Sequence, residues 1–328
     1  MKRFLLGKIK DLQLSWLSIL QISHVLISTG FVSILYLYFV KHQLNVAYIV
    51  LAEALGYAAA VFFIVIKKQC NLRRDIQIGF LLVIIGMLSL LLAWPPLVIL
   101  FVYTVLRLSG GIIFFIPYNI LFFGPTQADK KLHKMATYWA VVSIAGILAP
   151  LLGAYIFSRF NLLVFVGLAV SILCVALCFT IKLTTVRYGY SLKEIFVAIK
   201  GTRIITMFDG ALQVASQLII TLYLLTFIQD ELTFGRILSI NALFSIFFSL
   251  KVAKISDESN KRIQFMWPLA LISAAIMVFF YASQDFWTIL FLIVLFKFIT
   301  TLFNPIRSNI VLDTSTNTAV TWLSRELY

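Results

Sequence analysis

The chain has 328 residues; 62% are hydrophobic, 12% are charged, and the formal net charge is +14. Soluble domains carry roughly twice that charged share, about 25%. The balance excludes a soluble enzyme and a disordered chain, and argues against a nucleic-acid binder, whose basic residues need a polar, solvated surface. What remains is an all-α, polytopic membrane protein whose partner is the lipid bilayer and whose positive charge sits in its loops.

A helix that spans the bilayer needs about 20 predominantly apolar residues. In chain order, ten runs qualify: 14–40, 44–66, 76–94, 97–123, 136–158, 161–182, 203–228, 233–253, 263–283 and 285–311. Ahead of the first lies MKRFLLGKIKD. It is basic, but no small-residue cleavage site follows and the apolar run is too long for a signal peptide, so the first span reads as an uncleaved anchor. Pro95 and Pro96 turn the chain between the third and fourth spans, and Asp285 alone separates the ninth from the tenth.

Lys and Arg divide unevenly between the two sides. On one side lie 22: the N-terminal group, Lys67 to Arg74, Lys130 to Lys134, Lys182 to Arg203, Lys251 to Arg262, and finally Arg307 and Arg325. The other side has only Lys41, Arg159 and Arg236. The positive-inside rule puts the first side, and the N-terminus with it, in the cytoplasm of a bacterial-type plasma membrane. Between the sixth and seventh spans, 184–202 is the only long internal loop. Within it Ser191 and Glu194 have the spacing of a helix-capping box, opening the amphipathic run LKEIFVAIK. This reads as a linker lying on the membrane surface, with a regulatory or partner-binding helix as the other reading.

The two parts of the chain repeat at an offset of 188 residues. The first span falls on the seventh, the basic loop Lys67–Arg74 on Ile255–Arg262, and Pro117 on Pro305. Repeats of this kind are typical of secondary transporters, with the substrate site at the repeat interface. They divide the chain into a six-helix bundle (1–183), a linker (184–202) and a second bundle (203–328) holding four helices and the start of a fifth. On this reading the equivalents of the fifth and sixth spans are missing from the second bundle, and the expectation is a chain cut from a twelve-helix protein.

Three local patterns sit on this frame. The fourth span carries Arg107-Leu-Ser-Gly110-Gly111. The fifth carries Ala145-Gly-Ile-Leu-Ala149-Pro150-Leu-Leu-Gly153-Ala154. The loop after the eighth carries Lys254-Ile-Ser-Asp257, then Lys261 and Arg262. Together with six-plus-six helices, cytoplasmic ends and a longer central loop, they resemble the major facilitator superfamily: its helix-4 arginine pattern, its helix-5 GxxxGPxxGG with alanines for three glycines, and its charged loop pattern. The equivalent loop between the second and third spans, KKQCNLRR, keeps the basic residues and lacks the aspartate and glycine. Read physically, Ala145, Ala149 and Gly153 are four apart and let another helix approach closely, while Pro150 is expected to kink the helix. The resemblance implies contact with the opposite half there, hence a gating or plain packing role. Lys254, Asp257, Lys261 and Arg262 read as a charged latch or an ordinary solvated loop.

Four ionisable residues sit inside spans: Glu53, Arg107, Asp209 and Lys297. Each unpaired charge at the bilayer centre costs roughly 2.5–3.5 kcal/mol, so they face a wet cavity, pair with one another, or are neutral. The resemblance implies that the first, fourth, seventh and tenth spans line a central cavity. Polar residues agree: Thr206, Asp209, Gln213 and Ser216 form a stripe in the seventh and Gln21, His24 and Ser28 lie on a similar face of the first, while the tenth adds Thr300, Thr301, Asn304 and Arg307 and the fourth adds Tyr103, Tyr118 and Asn119. Arg107, Asp209, Glu53, Lys297, His24, Gln21, Gln213 and Asn119 are therefore the candidates for substrate or proton coupling. For Arg107 a structural ion pair is the other reading, and for His24 a hydrogen-bonded packing residue.

No cofactor or metal is expected. Cys70, Cys174 and Cys178 have no histidine or carboxylate cluster nearby, His24, His42 and His133 are scattered, and no phosphate loop, HExxH or paired-aspartate motif occurs. The expectation is a monomeric secondary transporter, not an enzyme, moving a small organic solute by alternating access. Protons are the expected coupling ion, and efflux is slightly favoured by analogy of the fifth-span pattern. A non-transporting scaffold or receptor-like protein and an integral-membrane lipid-modifying enzyme are the alternatives.

Overall fold

The computed structural model describes residues 16–67, 69–123, 131–198, 203–214, 218, 220–243, 262–313 and 320. Every one of the ten apolar runs contains helix. The first six are α1 (Trp16–Lys41), α2 (Val46–Lys67), α3 (Leu72–Ser89), α4 (Pro96–Phe123), α5 (Lys131–Arg159) and α6 (Leu162–Phe179), the last ending in a 3₁₀ turn, Thr180–Lys182. After a linker helix α7 (Leu192–Ala198) come α8 (Arg203–Val214), α9 (Ile220–Leu225), α10 (231–243), α11 (Arg262–Ala282) and α12 (Phe286–Asp313). Among the described residues, α1, α2, α4 and the helix Leu162–Lys182 are long and apolar enough to cross a membrane. Large apolar side chains face outward: Phe62, Leu271, Val278 and Trp287 are each about two-thirds exposed or more. A continuous apolar exterior of this kind is a lipid-facing surface.

Local chemistry sets the helix starts. Asn71 accepts from the Arg74 amide at 3.3 Å and Asn161 from the Val164 amide at 3.0 Å, each capping its helix. Asp230 and Asp285 do the same for α10 and α12 through the amides of Thr233 and Thr288, at 2.7 and 2.8 Å. These caps hold both exposed carboxyls below the usual carboxylate range. The single-aspartate connection between the ninth and tenth spans is thus a helix cap. At 184–202 the capping box forms: the Ser191 amide donates to Glu194 at 3.0 Å and the Glu194 amide to the Ser191 hydroxyl at 3.2 Å.

The small-residue face of α5 packs against α1, within the same half of the chain. A β-carbon on Gly30 would lie 2.1 Å from the backbone of Ala149, and one on Gly153 3.1 Å from the Gly30 carbonyl. Only backbones without side chains reach this separation, and close approach is what holds helices together in lipid. The α1 ladder widens here into a π-helical turn, Leu26–Phe31, around Gly30. That turn breaks the stripe expected for Gln21, His24 and Ser28: the first two are buried, while Ser28 is half-buried and donates back to the Val25 carbonyl. The reach toward the other half comes from the neighbouring face of α5, where Pro150 and Ala154 abut Gly235 of α10. Helix α5 runs on through Pro150 as one element.

At the end carrying the basic loops, β1 (Gln69–Asn71) pairs antiparallel with β2 (Arg187–Gly189). The linker is therefore tied into the fold by a strand pairing. It is pinned to the first six helices: the Leu72 amide donates to the Val186 carbonyl at 3.0 Å and the Tyr190 hydroxyl to the Ile64 carbonyl at 2.8 Å. The aspartate missing from KKQCNLRR is supplied by the next residue. Asp75, in the first turn of α3, is buried, ion-paired with Lys67, and accepts from the Asn71 amide at 3.0 Å. At the opposite end Lys41 of α1 pairs with Glu231 of α10, and α9 packs on α1. One apolar core runs from Leu17, Phe31 and Phe165 through Phe234 to Phe296.

Candidate functional site

The site is built on α4, which crosses the middle of the first six helices, against α3 on one side and α2 on the other. Gly110, where the family pattern has a polar residue, meets Gly79 of α3; a β-carbon on either would stand 2.7 Å from the other's carbonyl oxygen. Gly111 leaves room for the His24 ring. At about 1.5 Å per residue, Arg107 lies roughly 16 Å from the start of α4, and Glu53 roughly 10 Å from the start of α2.

These two charges meet. Arg107 Nη2 donates to Glu53 Oε1 and, at 3.2 Å, to the Tyr36 hydroxyl, which itself donates to the same Glu53 oxygen. Three helices, α1, α2 and α4, are joined by one carboxylate, one guanidinium and one phenol. All three residues are buried, with 5% of Glu53 and 9% of Arg107 exposed. The Arg107 guanidinium also stands 5.9 Å from the Tyr103 ring centre. An ion pair with a third hydrogen-bonding group is how charge persists at low dielectric.

Along α4 and α1 the described residues leave polar atoms buried without a hydrogen bond: Arg107 Nε and the hydroxyls of Tyr103 and Thr104 beside the network, and His24 Nδ1 and Asn119 Oδ1 elsewhere. His24 is stacked on Phe114, with ring centres 4.5 Å apart, and meets the Phe115 edge at 4.7 Å. Gln21 accepts from the Tyr118 hydroxyl at 2.9 Å. The structure thus pairs Glu53 with Arg107, sets Gln21 against Tyr118 and His24 against Phe114 of α4, and buries Asn119 roughly 18 Å further along α4 from Arg107. Asp209 and Gln213 belong to α8 and Lys297 to α12, but their side chains lie outside the described residues. Lys254, Asp257 and Lys261 also lie outside them; Arg262 opens α11, and its side chain is likewise outside. No group of three metal-capable side chains occurs among the described residues.

Tyr36 is the member that sequence reasoning missed. In YLYFV near a span end it reads as an interfacial aromatic, and the 188-residue offset pairs it with Leu224. The partner of Glu53 was open for the same reason: pairing across helices leaves no mark on linear spacing.

No protein-family model matches the chain, and no curated protein does. Solved structures do. A POT family transporter in complex with a thioalcohol-conjugated peptide is similar over 96% of this chain and 87% of its own, with TM-score 0.70 and 13% identity. The nucleoside transporter NupG is similar over 97% and 86%, with TM-score 0.61 and 15% identity. A bacterial homologue of the human lysosomal transporter Spinster, inward-facing and unoccupied, covers 98% and 79%, at 0.62 and 15%. The chain has the fold of the major facilitator superfamily. Within that fold the network of Arg107, Glu53 and Tyr36 joins the first, second and fourth helices.

Proposed function

We propose that this protein is a secondary active transporter of a small organic solute, working by alternating access as a monomer in a bacterial-type plasma membrane, with its N-terminus cytoplasmic. The units that rock are 1–183 and 203–328, joined by 184–202. One observation carries the reading: a buried Arg107–Glu53–Tyr36 network inside a facilitator fold. Such a network is costly to place in a membrane and serves a protein that uses it. Protons are the coupling ion. Protonating Glu53 removes the negative partner of Arg107 and leaves the guanidinium available to a solute, while a proton lost from Glu53 restores the pair. Asp209 and Lys297 provide the matching charges from the second bundle. The fifth-helix pattern favours efflux.

The test is flux in proteoliposomes holding a pH-sensitive dye, with an imposed pH gradient of either sign and a panel of dipeptides, nucleosides and aromatic amines. The expected result is saturable, gradient-dependent flux of at least one class. Combining Arg107→Ala, Asp209→Asn and Glu53→Gln abolishes it. Coupled flux that survives the triple substitution overturns the coupling role; silence across the whole panel favours a scaffold.

A further inference from the structure

We propose that the rim of the basic end, where α1, α3, α6 and β2 meet, is a binding site for an anionic phospholipid whose headgroup phosphate is held by Arg73, Arg74, Lys182 and Arg187. The proposal goes beyond the transport reading and does not depend on it. It rests on surface charge and local geometry, not on the buried network.

Hydrogen bonds bring the four cations to one place. Gln77 of α3 donates to the Thr180 hydroxyl at 3.0 Å, which fixes the start of α3 against the end of α6. Arg73 stands four residues before Gln77, one helical turn nearer the basic end on the same face. Lys182 stands two residues beyond Thr180, where the chain leaves α6 toward that same end. Strand β2 then returns to α3. Asn71 lies opposite Arg187, and the Leu72 amide donates to the Val186 carbonyl at 3.0 Å. Arg187 is thereby set beside the first turn of α3, which holds Arg73 and Arg74.

Among the described residues no carboxylate pairs with any of the four. The carboxylate side chains described at this end are engaged elsewhere: Asp75 is buried against Lys67, and Glu194 closes the capping box. Arg74, Lys182 and Arg187 are exposed and Arg73 is half-buried. Adjacent positive charges repel one another, and an anion among them relieves the repulsion. The surroundings mark that anion as a lipid. Lys182 Nζ lies 4.0 Å from the Trp16 ring centre, and Trp16 stacks on Phe179 at 5.0 Å. Tryptophan sits at the headgroup level of a bilayer, and the cation–π contact holds the ammonium at that depth. Ile181 and Val186, the chain neighbours of Lys182 and Arg187, are 63% and 46% exposed. Acyl chains cover such side chains and water does not. Basic residues gathered between helices at the cytoplasmic face, beside apolar surface, suit a phospholipid headgroup.

The test uses the full chain in detergent micelles, with phosphatidylglycerol as the probe and phosphatidylcholine of the same acyl chains as the control without net charge. Native mass spectrometry counts retained lipid, and thermal unfolding during lipid titration gives the apparent affinity. Phosphatidylglycerol is expected to be retained in preference to phosphatidylcholine and to raise the unfolding temperature. Each charge removed from the cluster should weaken retention about fivefold, so Arg73→Gln with Arg187→Gln should weaken it about 30-fold. Equal retention of the two lipids overturns the proposal.

Two further pairs separate a site from its alternatives. Arg73→Lys with Arg187→Lys keeps the charge and should hold affinity within about fivefold, which distinguishes lost binding from lost folding. A loss there as large as in the Gln pair would show that charge is not what binds. Lys130→Gln with Lys134→Gln removes the same charge from another basic loop and should change retention by less than about twofold. A loss equal to that of the Arg73 and Arg187 pair would mean that diffuse positive charge attracts the lipid, and the site would fall. Glycerol 1-phosphate supplies the headgroup anion without acyl chains. If it raises the unfolding temperature as far as the lipid does, the cluster takes a free anion and the lipid assignment is wrong. A chain that moves no solute yet retains phosphatidylglycerol through these residues would remove the transport reading and leave the lipid site standing.

Discussion

At the scale of single residues, the Arg107–Glu53 pair turns the cost of buried charge into a measurable asymmetry. Breaking a buried pair from one side leaves the other charge uncompensated and typically costs about 3–5 kcal/mol. Arg107→Ala alone, or Glu53→Ala alone, should therefore lower thermal stability in detergent sharply. Arg107→Met combined with Glu53→Leu should recover most of the loss, because apolar groups of similar size are often neutral at such sites. Tyr36→Phe removes two hydrogen bonds to charged groups, one donated to Glu53 and one accepted from Arg107, and should cost about 1.5–3 kcal/mol or more. A double-mutant cycle in which Arg107 and Glu53 effects simply add would contradict the pairing. Cys70 gives a second residue-scale expectation. Burial, and then the Asp75 carboxylate beside it, push its thiol well above the usual range. With Cys174 and Cys178 replaced by Ser, alkylation at pH 8 should be much slower than for an unfolded control. Because thiolate is the reactive form, the rate should climb only as pH rises above the ordinary thiol value. Rapid labelling at pH 8 would mean the β1–β2 cover is open.

At the scale of elements, the sequence was most informative where one variable decides the outcome. Run length and apolarity predicted the fourth span at 97–123, and α4 is Pro96–Phe123. Spacing of small residues foresaw the close approach of α5, and Ser191 with Glu194 foresaw the cap of α7. What linear pattern does not hold is the partner. The α5 face meets α1, because Gly30 sits at the one place where α1 widens into a π turn, and a regular 3.6-residue stripe cannot show that turn. The linker likewise has the hydrophobic pattern of a surface helix, and only pairing with a loop more than a hundred residues away fixes it. Of the candidate site, the in-span charges Glu53 and Arg107 were legible because charge in an apolar run is conspicuous; Tyr36 was not, since aromatic residues are common near span ends. The α1–α5 contact makes its own prediction. Gly30→Ala places a methyl group against the Ala149 backbone and should cost about 1–3 kcal/mol or more, seen as reduced yield and a lower unfolding temperature. Gly167→Ala in α6, where a β-carbon meets nothing within 4 Å, should be neutral or stabilise by up to about 1 kcal/mol through helix propensity. Equal losses at both positions would show that close approach is not what α1 requires.

At the scale of the whole molecule, contacts between the first six helices and the elements after the linker lie at both ends. The end opposite the basic loops holds the Lys41–Glu231 ion pair, with Gly235 of the same α10 against Pro150 and Ala154. The basic end holds the cluster around Ile195 and Val320. On the alternating-access reading proposed above, one set parts while the other holds, so the difference between them sets which way the protein rests. The Lys41 side chain is 39% exposed and that of Glu231 18%. Solvent screening therefore limits the pair to about 0–1 kcal/mol, and 1 kcal/mol changes a two-state ratio by about fivefold. Glu231→Gln should shift the population toward opening at that end by up to that factor, read as the distance distribution between spin labels placed on α1 and α10. Raising salt should shift the unsubstituted protein the same way, and the Gln variant should no longer respond to salt. Exchanging the charges, Lys41→Glu with Glu231→Lys, should restore the original distribution, whereas either reversal alone should open the end further than Glu231→Gln because like charges then repel. A charge exchange that behaves like the single reversals would show that the pair is incidental, and that the backbone contact of Gly235 with Pro150 alone holds this end closed.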